Sequence, residues 1–389
     1  MKQFKTVIIL FILYCLLSCQ TRGRKEPENK ALPPERLVID FEKKADRQDK
    51  PAAFFPDGKG FITSTVSSLQ LWDIGTMKPK EVRLRWYPFA VAVSPDGRRI
   101  VVGGYSRTAL LLDRDGKTVR SLPGHSSHVS NLAYSPTNKF FVTASRGLCK
   151  MWRPNGRLLK TLHPLPSWIF DMDISPDGGK IGLAFNDSSR LQVLDISGRK
   201  IVTIKEDYVR SVAFAADSKS IFAGSFKGLK GAVRHWDLKG KLIKAYPMTD
   251  IVERIRLLQG GNLLAIEFND HQPLSLLNLK DSSLRGFPTI TRHHYVTHSL
   301  SRHPEKKIIL TCAWPSRGYL FLNYETGDYL RFFHFPSGDW VAWDGENRFD
   351  CSPGAEKYIR FYRGEAVQPY EQARARYYTK GLLKRFLQE

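Results

Sequence analysis

This sequence has little cysteine, little acid, and no apolar run long enough to cross a bilayer. Five cysteines occur in 389 residues, and two of them, Cys15 and Cys19, fall in an N-terminal segment treated below. The other three, Cys149, Cys312 and Cys351, cannot all pair, and a chain this long can bury a core without staples. Buried thiols are therefore the expectation, with Cys312 and Cys351 the best-placed pair if one bridge forms. There is no Cys-x-x-Cys, no His-Glu-x-x-His, no glycine-rich phosphate loop, no Gly-x-Ser-x-Gly elbow and no paired-carboxylate constellation. These absences weigh against metalloprotease, nucleotide-binding and serine-hydrolase chemistry, and they point to no cofactor. Against 38 Asp and Glu stand 60 Lys and Arg, a formal net charge of +22. Such a surface attracts acidic partners and is silent about fold.

The apolar run Val7 to Leu17 follows Lys2 and Lys5. As a helix it would reach about 16 Å, roughly half the hydrocarbon thickness, so it reads as the core of a signal peptide. Leu16, Leu17, Ser18 and Cys19 resemble a bacterial lipobox, in which the cysteine becomes the first mature residue and carries acyl chains. That resemblance implies lipidation at Cys19 and an exported protein tethered to a bacterial membrane on its periplasmic or cell-surface side. The alternative is an ordinary secretory signal in which Cys19 is incidental. Residues 19–35 are polar, charged and end in Pro33 and Pro34, which suits a flexible tether after a signal peptide at 1–18.

From there the chain repeats itself. Phe89 to Val93 alternates large and small apolar residues and runs into Ser94-Pro95-Asp96-Gly97; the same order recurs from Val129 to Pro136-Thr137-Asn138. Related turns stand at Pro56-Asp57-Gly58, Pro176-Asp177-Gly178 and Ala216-Asp217-Ser218, with weaker ones at Gln259-Gly260-Gly261 and His303-Pro304-Glu305. Successive anchors lie 39 to 44 residues apart, giving seven units. Proline presets the φ of such a turn, aspartate bonds its own backbone, and glycine takes the positive φ. Each unit supplies three further strand-like runs, so the predicted fold is all-β: a seven-bladed β-propeller of four-stranded antiparallel blades, spanning 36–335.

Trp72-Asp73 and Trp236-Asp237 at the ends of third strands, Asp113 and Asp195 in the same slot, and Gly124-His125 at the entry to a blade resemble the WD-repeat family. The family's blades are locked by hydrogen-bonded His, Ser or Thr, Asp and Trp. Here only the third blade approaches that set, with His125, Ser145 and Trp152, and Arg146-Gly147 stands where the Asp belongs. The architecture is therefore expected and the lock is not. Residues 336–364 resemble the tail found after bacterial WD-repeat propellers, including ones that also carry a caspase-like peptidase domain, and read as completing or covering the last blade. Leu37 to Phe41 and Trp340 to Trp343 are both suited to closing the ring. Residues 365–389 form a short helical tail whose apolar face, Tyr370, Ala373, Tyr377, Leu382 and Phe386, would dock on the propeller.

In such a ring the turns between second and third strands share a face with the links between blades. Arg107, Arg146, Arg190, Lys227 and Arg317 lie in the former, and Trp86, Tyr87, His125, His128, Trp168 and Tyr208 in the latter. Cations and aromatics round a channel mouth would hold an acidic protein or an anionic envelope glycan. With so many Lys and Arg some turns carry a cation by composition alone, so Trp86 and Trp168 carry the argument furthest. His293, His294, His298 and His303 cluster, but strand alternation would throw them to opposite faces, and no metal site is expected. Asp350-Cys351 lacks a nearby base and reads as structural.

The expected function is a membrane-anchored binding or scaffolding propeller with a monomeric body, its membrane contact made through the N-terminal lipid. Nucleic acid is not expected, because an exported lipoprotein rarely meets it. The competing class is a propeller enzyme of hydrolase type with its site at the central channel. Acidic or histidine side chains recurring on the inner strands of several blades would favour it, and the sequence shows no such recurrence.

Overall fold

The computed structural model of the chain describes residues 36–39, 51–162, 168–185, 190–258, 260–269, 273–291, 300–313, 318–363 and 366–388. Among these residues eight sheets form: six of four strands, one of six, and one of three, with every pairing between strands antiparallel. The seven larger sheets are the blades of a β-propeller. Blades 1 to 7 begin with the strands Ala53–Phe54, Pro88–Val93, Asn131–Tyr134, Ile169–Ile174, Ser211–Phe214, Val252–Leu257 and Leu300–Arg302. These first strands touch one another in succession from blade 1 to blade 6, and that of blade 7 meets that of blade 1. They are the inner wall.

Burial follows position in the blade. Second strands such as Gly60–Ser64 and Phe141–Ser145 are buried throughout, because a blade is covered on both faces by its neighbours. Fourth strands such as Thr118–Leu122 are almost wholly exposed and polar. The core is consequently divided. Seven apolar clusters among the described residues each join two adjacent blades, as Ile62, Leu69 and Leu71 of blade 1 do with Ile100, Val102 and Leu112 of blade 2. The turns after first strands take positive φ at Gly58, Gly97 and Gly178 (65°, 69° and 70°). Asn138 and Ser218 hold the same conformation at 56° and 59° without glycine's freedom.

Ring closure differs from both expectations. Blades 1 and 7 are each built from consecutive strands, and among the described residues no strand passes between them. Trp340–Trp343 instead pairs with the outer strand of blade 7, Tyr329–His334, and with Phe349–Cys351 widens that blade to six strands. Arg36–Ile39 pairs with Ile359–Arg363 in the separate three-stranded sheet. Side chains therefore close the ring. Phe61 stacks on Trp72 at 5.9 Å and meets Phe321 and Phe332 of blade 7 edge-on at 5.1 and 5.5 Å. The Tyr319 hydroxyl, fully buried, accepts from Ser64 N (2.8 Å) and donates to Ser64 O (2.9 Å), taking up a backbone pair that the two-residue first strand of blade 1 leaves without a strand partner.

Two helices cover the tail. α1, Tyr370–Tyr377, buries Ala373 and stacks Tyr377 on Phe361 at 5.6 Å. α2, Leu382–Gln388, puts Leu383 and Leu387 into the seam between blades 7 and 1, with Leu382 and Phe386 only partly buried beside them. Cys149, Cys312 and Cys351 are buried and none is in a disulfide, so the conditional bridge between Cys312 and Cys351 does not form. Among the described residues no helix is long and apolar enough to cross a membrane.

Because Tyr319 joins the two ends of the ring, Tyr319→Phe leaves both Ser64 backbone groups short of a buried partner. Urea unfolding should show a loss of about 1–3 kcal/mol; an unchanged midpoint would mean that the aromatic packing alone closes the ring.

Candidate functional site

The loops entering the blades and the turns between second and third strands gather on one face, and aromatic rings line it in an arc. Tyr87 meets Phe89 at 5.4 Å, Phe89 meets Tyr105 at 4.6 Å, both approach His128 at about 5.5 Å, and His128 lies 4.7 Å from Trp168. The Arg146 guanidinium stands over the Trp168 ring at 5.8 Å, within cation–π range. Further round, Arg210 lies 4.4 Å from Phe170 and 5.3 Å from Phe226, and Phe226 stacks with Tyr208 at 5.0 Å. Tyr105 and Tyr208 are 59% and 55% exposed, unusual for tyrosines bordering a packed wall. Tyr208 also holds φ at 29°, a left-handed conformation that non-glycine residues seldom adopt. The arc spans blades 2 to 5 and offers ring faces beside cations, a surface for stacking and for anion contact.

Of the residues expected here, Tyr87, Arg146 and Trp168 join the arc, and Arg107 is exposed on the same face. Trp86 does not reach the mouth. Its ring lies against Gly104, where a Cβ would come within 2.6 Å of it, and packs into the core between blades 1 and 2. Arg190 and Lys227 stand beyond the blade 5 end of the arc, beside a groove between blades 4 and 5: Arg190 lines it, and Lys227, next to Phe226, lies 3.7 Å from Asp207, also in its wall. Arg317 and Cys19 lie outside the described residues, as do His293, His294 and His298. His303 is buried against Phe54 and accepts the backbone N–H groups of Glu305 and Lys306, a turn-forming role. No cluster of three metal-ligating side chains occurs among the described residues. Phe89, Tyr105, Phe170, Arg210 and Phe226 escaped sequence reasoning. Their signal was an aromatic or basic residue at a strand end, next to the turns already singled out.

The blade lock is present after all in blade 3, without an aspartate. Trp152 Nε1 donates to Thr143 Oγ1 (2.8 Å), whose own proton is then available to His125 Nε2 (2.7 Å). His125 Nδ1 completes the chain to Ser145 Oγ at 3.0 Å. Thr143, not recognised from sequence, is the hub. Burial, and secondly the Lys150 charge, push the His125 pKa down to about 4, so the ring is neutral and fits this donor order.

A second polar cluster joins the inner strands of blades 4, 5 and 6. Both Asp171 carboxylate oxygens accept from Arg256 at 2.7 Å, Arg254 approaches to 3.5 Å, and the Ser211 hydroxyl and Val212 N–H also donate to Asp171. Burial would raise Asp171, but Arg256 and Arg254 outweigh it and hold the carboxyl at about 2. Asp173, two residues on, accepts from Phe214 N (2.8 Å), and burial pushes it up to about 6. Two acidic residues thus lie on one inner strand, that of blade 4, whereas the sequence reading asks for a recurrence over several blades. The signal was like charge at i and i+2 in an otherwise apolar strand, Asp171 with Asp173 and Arg254 with Arg256, which puts each pair on one face.

The fold defines the chain as a seven-bladed propeller with an aromatic and basic mouth. A family model described as WD domain, G-beta repeat matches residues 116–153, the stretch that holds the complete lock of blade 3. The chain is 28% identical over 225 residues to human (Homo sapiens) WD repeat-containing protein 36, covering 55% of this chain and 25% of that protein. It is 26% identical to Nuclear distribution protein nudF of Aspergillus niger, over 36% of this chain and 38% of the relative. An uncharacterized WD repeat-containing protein of Synechocystis is 31% identical over 32% of this chain and 38% of its own length. The matched region thus spans between a quarter and two fifths of each relative. These likenesses place a WD repeat at residues 116–153 and WD-repeat similarity over part of the chain.

Two outcomes follow. Arg256→Met strands a buried carboxylate and should cost about 3–5 kcal/mol in urea unfolding, while Asp171→Leu with Arg256→Met recovers most of it. For His125 the unfolded chain binds a proton near pH 6.5 and the folded one only near pH 4. Its contribution is whole above pH 6.5 and is lost as pH falls toward 4, at up to about 1.4 kcal/mol per pH unit. Melting temperatures at pH 7.5 and 5.0 should therefore converge between the unaltered protein and His125→Asn; parallel curves would contradict it.

Proposed function

We propose that this chain is a binding propeller of the bacterial envelope, exported and held to a membrane by lipid on Cys19, and that its aromatic arc receives an acidic segment of a partner protein. The observation that carries this reading is the Arg146 guanidinium over Trp168, beside the exposed ring of Tyr105. A carboxylate would meet the cation while apolar parts of the segment lie on the rings, and the excess of basic residues steers its approach. The anchoring rests on Leu16 to Cys19 and the preceding apolar run. An anionic glycan is the second reading, favoured by the same ring faces, since sugars stack on aromatics.

A hydrolase at the axis has one observation in its favour: Asp171 and Asp173 have pKa values driven apart, to about 2 and about 6. Against it, every oxygen of Asp171 is engaged by arginine, Ser211 and backbone, which makes it a tie between blades. Binding is the better account.

Immobilised full-length protein should capture an envelope component at low salt and release it at high salt. Arg146→Glu or Trp168→Ala should each weaken capture by about tenfold or more, the scale of an interface hot spot. Sensitivity of the captured species to protease or to glycan digestion tells the two partner classes apart. Capture unaffected by either substitution would reduce the arc to a solvated surface.

A further inference from the structure

One tryptophan in the ring has lost the partner that its counterparts keep. In blade 1 Trp72 stands opposite Phe61 and donates to Thr63, two residues further along that strand, at 2.8 Å. In blade 3 Trp152 stands opposite Phe141 and donates in the same way to Thr143. Blades 2, 4 and 6 replace both members together: Leu112, Leu194 and Leu277 take the tryptophan's place, and Val102, Leu183 and Ile266 that of the threonine. Blade 7 replaces only the tryptophan, with Leu322 opposite Ile309 and Thr311 two along donating to Glu267 instead. Blade 5 replaces only the threonine. Trp236 stands opposite Ile221, and the residue two along is Ala223. The Trp236 Nε1 is buried and has no hydrogen-bond partner among the described residues.

The rest of the blade 3 lock is rewritten in blade 5 as a charge pair. Glu206 and Ser225 hold the places of His125 and Ser145, and Arg234, standing where blade 3 has Lys150, donates to both. The outcome is a groove of about 590 Å³ between blades 4 and 5, with Trp236, Arg234 and Glu206 on one side and Arg190, Thr203 and Lys205 on the other. Arg190 Nε and Thr203 Oγ1 are also buried without a partner among the described residues. Three residues that line one opening thus each carry a buried, unpaired polar atom, which costs free energy until something bonds to it. Arg234 is held by Glu206, and Asp207 on the rim faces Lys227 at 3.7 Å, so Arg190 and Lys205 leave the groove positive and rich in donors.

We propose that this groove is a second binding site, separate from the aromatic arc, which takes the carboxylate of an Asp or Glu side chain on an extended protein segment. The carboxylate accepts from Trp236 Nε1 and from Arg190, and the Thr203 hydroxyl donates to it. A doubly charged phosphate fits less well, because the Glu206 carboxylate stands in the same wall. Its size lies within the range of ordinary ligand pockets. The inference does not depend on the arc having a ligand.

The probe is a labelled ten-residue peptide of alternating Glu and Ala, read by fluorescence anisotropy against the full chain, with a Gln-for-Glu peptide and inorganic phosphate as further arms. Trp236→Phe keeps the ring and removes the donor. Ala223→Thr restores the acceptor found in blades 1 and 3, so the indole is satisfied inside its own blade. Each should weaken Glu-peptide binding by about tenfold or more with folding intact, and Arg190→Gln similarly, whereas Arg146→Glu should leave it unchanged. If Ala223→Thr lowers the melting temperature, Trp236→Phe decides. Equal binding of the Gln peptide, unchanged affinity in Trp236→Phe, or no binding by the unaltered chain overturns the proposal. Competition by phosphate as strong as by free Glu peptide overturns the carboxylate assignment. Loss in Arg146→Glu alone moves the peptide to the arc, and so overturns the groove while leaving the proposed function standing.

Discussion

A ring of locally folded blades has to close on side chains, and that constraint shapes the rest of this molecule. Each blade folds from consecutive segments, which spares it long-range strand pairing. The join between blades 7 and 1 then lacks the backbone hydrogen bonds that an exchanged strand would supply, and aromatic packing takes over. Phe61, stacked on Trp72, packs edge to face against Phe321 and Phe332, Tyr319 satisfies Ser64, and α2 caps the seam with Leu383 and Leu387. The C-terminal helix α2 is thereby part of the closure of the ring, though it belongs to no blade.

Within the ring the same problem recurs at smaller scale: a polar group on a blade face, covered by the next blade, must find a partner or be replaced. Threonine and tryptophan are both replaced in blades 2, 4 and 6, and blade 7 keeps Thr311 without the tryptophan and turns its hydroxyl to Glu267. Blade 3 keeps both and extends the pair through His125 to Ser145. Blade 5 keeps the tryptophan alone and admits a charge pair, Glu206 with Arg234, where blade 3 has neutral groups. The inner wall shows the costlier solution, in which Asp171 and Arg256 tie blades 4 and 6 together with Ser211 of blade 5 between them.

Much of this was legible in the sequence because it is local. The turns after first strands announce themselves by Pro, Asp and Gly at a spacing near 40, and strand alternation does the remainder, so seven blades could be counted. What was not legible depends on which blade covers which. Thr143 looks like any strand threonine until Trp152 is seen to reach it across the sheet. Asp171 and Arg256 are 85 residues apart, and only the ring brings them within bonding distance. Trp86 misled for the converse reason: an aromatic beside a blade link was assumed to face the mouth, but the small Gly104 opposite lets its ring fall inward.

The three-stranded sheet outside blade 7 bears on how the molecule takes a mechanical load. Blade 1 begins with the shortest inner strand of the ring, the two residues Ala53–Phe54. Tension applied directly to that strand would peel it from its neighbour one bond at a time. The chain ahead of it first runs through Arg36–Ile39, clamped along four residue pairs to Ile359–Tyr362. A pull from the N-terminal side therefore meets the clamp before it meets blade 1, and is passed to the tail that already seals the join. The fold protects its weakest strand as a cable gland protects a soldered wire, by gripping the lead before the joint.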